Sequence, residues 1–141
     1  MVIRYKYDEE LHRKTLQICE KLFPHVKLEH VSCIRSYGSK SKYTIARCHA
    51  LGKALQTGMQ RKGFYTIEFV SENFDKLSEE EKIKVIIHEI MHIPKSFGGG
   101  FRYHDYVCDK NIGIYYNKLK EVKGDFSDNE NKKKFGIKGW W

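Results

Sequence analysis

The chain has 141 residues, with 26 Lys and Arg against 18 Asp and Glu, a formal charge of +8. At 40% hydrophobic and 13% aromatic residues it can fill one core but is too short for two, which excludes a disordered chain and a second independent core. No uncharged run approaches the ~20 apolar residues of a membrane span, and the start MVIRYKYDEE has no apolar signal core, so a cytoplasmic protein without membrane contact is expected.

The charge is uneven. Residues 1–70 hold 13 basic and 6 acidic side chains and residues 71–141 hold 13 and 12, so almost all of the excess lies in the first half. Between His30 and Ile67 there is no acid. That stretch carries Arg35, Lys40, Lys42, Arg47, Lys53, Arg61 and Lys62, interleaved with Tyr37, Tyr43, Phe64 and Tyr65. Cations and aromatics in that mixture suit phosphates and stacked bases, which makes the segment a candidate DNA contact; a solvated basic face has the same composition. Cys19, Cys33, Cys48 and Cys108 form no C-x-x-C pair, so they read as buried thiols rather than a zinc knuckle or a disulfide framework.

In chain order, Asp8 is an N-cap for a helix whose apolar positions run from Leu11 to Phe23 and which ends near Pro24. Two strand-like segments follow, Leu28 to Arg35 and Tyr43 to Leu51, separated by SYGSKS, a loop of hairpin character. LGKALQTGMQRKG is ambiguous between a helical turn and a loop. Phe64 to Val70 alternates as a half-buried strand should. Ser78 and Glu81 form a capping box that opens a helix through EEEKIKVIIHEIMHI, which Pro94 stops. A three-glycine loop, KSFGGGF, leads to a helix expected from about His104 to Glu121. Residues 122–141 are polar up to Trp140 and Trp141 and read as a mobile tail whose aromatic end docks back on the domain formed by residues 1–121.

The chemistry is carried by His88, Glu89 and His92, an H-E-x-x-H motif that this composition would produce by chance roughly 0.03 times. On a helical wheel both histidines lie opposite the isoleucine stripe, so they are not ordinary core residues. Four residues apart, they stand on adjacent turns, where both imidazoles reach a single Zn²⁺. A catalytic zinc needs a third protein ligand and an open position for water. Pro94 and the glycines supply the chain reversal, and His104 is the first histidine beyond it, with Asp105 and Asp109 as alternatives. Glu89 is placed to take a proton from a zinc-bound water and pass it to a leaving amine, which is peptide hydrolysis. Arg102, Tyr103 and Tyr106 are candidate oxyanion donors, and Phe64 to Val70 or Tyr43 to Leu51 would offer an edge for an extended protein or peptide substrate.

The run YTIEFVSENFDKLSEEEKIKVIIHEIMHIPKSFGGGFRYHDYV, with SCIRSYGS and YTIARCHALGKAL before it, resembles the phage and archaeal metallopeptidases, a branch similar to SprT-like zincins. The resemblance covers roughly residues 4 to 121. It implies an α+β small zincin (minigluzincin-like) domain with an N-terminal helix, a three-stranded sheet, the H-E-x-x-H helix and a C-terminal helix. It maps the ligands of one catalytic zinc onto His88, His92 and His104 and the base onto Glu89. It also implies cleavage of DNA-associated proteins, although no cysteine follows Cys108 to build the zinc ribbon of SprT-like members, and the third-ligand spacing is shorter than theirs. The alternative function is a nucleic-acid-binding module with a structural, four-ligand zinc site. Oligomeric state is not legible in the sequence.

Overall fold

The computed structural model describes residues 2–96 and 98–123. Three features were legible before it: α1 (Glu9–Leu22) capped by the Asp8 side chain, α4 (Glu79–Met91) opened by the Ser78/Glu81 capping box, and the strand β4 (Tyr65–Val70). Each is specified by local chemistry, a cap or an alternation that needs no distant partner. The remaining elements are β1 (Arg4–Tyr7), a 3₁₀ turn at Leu28–His30, β2 (Val31–Tyr37), β3 (Ala46–Ala50), α2 (Lys53–Met59), a single turn α3 (Ser71–Phe74) and α5 (Asp109–Lys123).

The sheet corrects two expectations. It has four strands rather than three, in the order β1-β2-β4-β3. The extra strand, β1, is only four residues long and exposed along its whole length, so no buried face announces it; it pairs antiparallel with β2, from Arg4 opposite Tyr37 to Tyr7 opposite Ile34. Nor do β2 and β3 form a hairpin across SYGSKS. β4 lies between them, parallel to β2 and antiparallel to β3. A glycine and serine loop reports that the chain turns, not which strand fills the gap. The ambiguous segment became α2, and the last helix starts at Asp109 rather than His104 because residues 101–108 are spent in turns behind the glycine loop.

The core lies between one sheet face and α1, α4 and α5. Cys33, Tyr65, Ile67 and Phe69 project from the sheet, Ile18 and Cys19 from α1, Ile86, Ile87 and Ile90 from α4, and Ile112 and Leu119 from α5, all buried. Burying each large side chain contributes roughly 1.5–3 kcal/mol before conformational entropy is subtracted. The four cysteines are free, with Cys19 and Cys33 buried as expected and their thiols pushed up to about 12, chiefly by burial. On the opposite sheet face, Glu68 is only 1% exposed and accepts from Arg47 at 3.1 Å and His49 at 2.8 Å, both on the neighbouring strand. No helix among the described residues is long and apolar enough to cross a membrane. The proposed tail with Trp140 and Trp141 lies outside the described residues, apart from its first two positions, which continue α5.

Candidate metal centre

α4 ends where the sequence dictates. His92 is its C-cap, and Pro94 stands two residues beyond, where a prolyl ring cannot continue the helix. One helical turn separates His88 from His92, which brings their ring centroids to 5.0 Å and their Nε2 atoms to 3.3 Å. His104 returns against both, its ring 5.7 Å from His88 and 5.3 Å from His92, so that one ligand atom from each histidine lies within 4.8 Å of the other two. Neither Asp105 nor Asp109 joins this group. His88 and His92 do face away from the isoleucine stripe, but not into solvent: His88 is 8% exposed and Glu89 5%, and the segment after the glycine loop is bonded to the end of α4.

The hydrogen bonds fix the chemistry of the ring nitrogens. The Arg102 carbonyl accepts from His92 Nδ1 at 2.6 Å, so Nδ1 carries the proton and the Nε2 lone pair faces the other two rings. The Arg102 N–H donates back to the His92 carbonyl at 2.8 Å, tying the returning strand to the helix end. Burial, with the neighbouring His92 and His104, holds His88 down at about 3, and burial also lowers His92 despite its bond to Arg102. His88 and His92 are therefore neutral at physiological pH, which is the state that ligates metal. Burial pushes the Glu89 carboxyl up to about 8, and its Oε2 lies 3.7 Å from His88 Nε2. A divalent cation at the histidines would supply the positive charge that favours the carboxylate. The donor set, three imidazole nitrogens with an acid beside them, thus fits a bound metal ion.

The third histidine is held by residues that sequence reasoning missed. Tyr65, fully buried at the start of β4, donates its hydroxyl to the Gly100 carbonyl at 2.7 Å and accepts from the Gly99 N–H at 2.9 Å. Gln56 of α2 donates to the Leu51 carbonyl at 2.7 Å and to the Gly98 carbonyl at 3.2 Å. Gly99 has φ +107°, and a Cβ there would sit 3.0 Å from Gln56 Nε2 and 3.1 Å from the Leu51 carbonyl. Three consecutive glycines signal such a close approach, but not the groups approached. Cys48 of β3, a strand that packs on α4, has its thiol raised by burial and by the Glu89 charge.

The oxyanion candidates are arranged differently from one another. The Arg102 guanidinium stacks 3.5 Å from the centroid of the Tyr106 ring, whose hydroxyl meets Tyr115 at 2.8 Å. Both side chains line a cavity of about 390 Å³ beside Phe23 and Met91, which none of the three histidines lines. Tyr103 is 68% exposed.

The basic segment does not form one surface. Arg35 is taken by Asp8 at 2.6 Å and Asp75 at 2.8 Å, and Arg47 by Glu68, acids from outside the acid-free stretch. Lys40 and Lys42 are exposed on the loop before β3, whereas Lys53, Arg61 and Lys62 gather at the far end of that strand.

No curated protein and no solved structure matches the chain. A family model described as putative phage metallopeptidase matches residues 3–138, which includes β1, the whole sheet, the histidine cluster and α5. The chain therefore belongs to the putative phage metallopeptidase family.

Proposed function

We propose that the protein is a zinc-dependent metallopeptidase that hydrolyses peptide bonds, with His88, His92 and His104 as the metal ligands and Glu89 as the general base. The observation that carries this reading is the convergence of three histidine ring nitrogens within 4.8 Å beside a buried carboxyl. Nitrogen-only donors suit zinc among the common biological metals. When bound, the ion would polarise the scissile carbonyl and make water a nucleophile near neutral pH. Glu89 takes the proton from the attacking water and returns it to the leaving amine, so that its buried carboxyl alternates between charged and neutral forms. The Arg102 carbonyl keeps His92 in the tautomer that presents Nε2, and Tyr65 with Gln56 keeps the glycine loop, and hence His104, in place.

An extended substrate pairs with β3. Of the two strands considered as docking edges, β4 is bonded on both sides, and among the described residues β3 has no strand on its outer edge. β3 also packs on α4, the helix that carries Glu89. Main-chain pairing there would bring a peptide past the metal centre. The nucleic-acid-binding alternative with a structural zinc needs a fourth protein ligand, and among the described residues the group contains three.

Metal analysis of the purified protein and its variants tests the assignment. The expected result is about one zinc per chain, lost in His88→Ala and kept in Glu89→Gln, with only the latter retaining metal while failing to cleave an unfolded protein substrate. A wild-type protein that takes up no zinc from micromolar solution would overturn it.

A further inference from the structure

The connection from β3 to β4 builds a feature that the metal centre does not account for. α2 is closed by Gln60 in the left-handed region, φ 55°, a conformation that a residue other than glycine adopts at a cost. Its N–H bonds the Gln56 and Thr57 carbonyls, and the chain turns so that Arg61 and Lys62 come back beside Lys53. These three cations line a cavity of about 560 Å³ together with Ser96 and Gly98 of the glycine loop, and no acid lines it. Arg61 is held ready: its guanidinium lies 4.7 Å from the Phe64 ring centroid, its Nε donates to the Lys62 carbonyl at 3.2 Å, and its Nη2 meets His30 Nδ1 at 3.0 Å. Among the described residues no carboxylate forms an ion pair with Lys53, Arg61 or Lys62, in contrast to Arg35 and Arg47.

Gln56 bridges this cavity to the proposed cleft. It reaches Leu51, the residue after β3, and Gly98, on the loop that ends in His104. β3, which packs on α4, ends at Ala50, three residues before Lys53.

We propose that this cavity is a specificity subsite for an acidic side chain of the substrate, an Asp or Glu carried by the peptide that lies along β3. The proposal rests on the metallopeptidase reading. The acid would sit on the side of the scissile bond that passes Leu51, where Gln56 links the cavity to the end of β3. A peptide carboxylate fits better than a nucleic-acid backbone. A duplex presents a charge about every 3.4 Å along each strand and needs a row of unpaired cations. Here Arg35 and Arg47 are neutralised, Lys40 and Lys42 stand apart on the loop before β3, and the other three close on a single cavity.

The test uses the full chain with zinc as Glu89→Gln, which would hold peptides uncut, and fluorescent ten-residue peptides in which one Glu is moved along a neutral sequence. Binding should be tightest at one position, about tenfold over the same peptide with Lys there, and the gain should shrink with added salt. Charge reversal at the exposed Lys53→Glu and Lys62→Glu pair should invert the preference at that position and no other. Equal binding at every position, or a preference untouched by the reversal, overturns the subsite. So does a DNA oligonucleotide that binds at least as tightly as the best peptide and loses affinity in the reversed variant, since the cavity would then serve a polyanion. Zinc-dependent cleavage by the wild type without acidic preference defeats the subsite alone, whereas positional binding without any cleavage defeats the metallopeptidase reading and leaves the subsite standing.

Discussion

His88 and His92 reach the metal centre by a different route from His104. The first two are placed by the helix itself: the capping box starts α4, Pro94 stops it, and four residues of spacing align the rings. The third depends on a loop with no secondary structure of its own, pinned at Gly98, Gly99 and Gly100 by side chains from α2 and β4. A helix spreads its order over a ladder of hydrogen bonds, so no single neighbour is decisive. A glycine loop has little intrinsic order, and a few buried bonds from distant residues carry its geometry.

Removing a proposed ligand should erase this contrast at the largest scale. His92→Ala or His104→Ala is expected to abolish zinc binding as measured by metal analysis, and Glu89→Gln to lower turnover about 10²- to 10⁴-fold with the metal retained. Retained turnover in Glu89→Gln would reassign the base. Tyr65→Phe comes next and separates the two routes: α4 should stay intact by circular dichroism, while zinc affinity, read by chelator competition, falls about 10- to 100-fold as the loop loses both hydroxyl bonds. Gly99→Ala should act in the same direction, costing about 1–3 kcal/mol through its positive φ and the contact with the Leu51 carbonyl, seen as a lower midpoint in urea. Unchanged zinc affinity in both variants would show that His104 is fixed by something other than this clamp.

The smallest effect lies far from the loop. Burial would raise the Asp8 carboxyl, but the Leu11 N–H and Arg35 hold it below its ordinary value. A depressed carboxylate stabilises the fold above its unfolded pKa, and that contribution is lost as pH falls through the folded value, so it fades below about pH 4. Asp8→Asn keeps a capping side chain and loses the charge. It should cost about 0.5–1 kcal/mol at pH 7 and leave a shallower acid limb in a pH series of urea melts, with zinc affinity unaffected.

The same division runs through the cations. Residues 30–67 do not form one uniform basic surface, because partners come from elsewhere in the chain: Asp8 and Asp75 close on Arg35, and Glu68 on Arg47, while among the described residues Lys53, Arg61 and Lys62 meet no such acid. Charge along a sequence is countable, but its neutralisation depends on which elements pack. β1 was illegible for a related reason, since RYKY is short, exposed on both faces, and is held as a strand by pairing with the edge of β2.

By itself the sequence determined the start and end of α1 and α4, the alternation of β4 and the pair His88 and His92 with Glu89 between them, because caps, proline and helical spacing act within a few residues. It also marked His104 as the candidate third member through chain order. Only the tertiary structure decided the strand order, with β4 inserted between β2 and β3 and β3 at the edge of the sheet among the described residues, the Tyr65 and Gln56 bonds to the glycine loop, and the return of His104 against the other two histidines. Those outcomes depend on hydrogen bonds between residues tens of positions apart, whose partners no local pattern names.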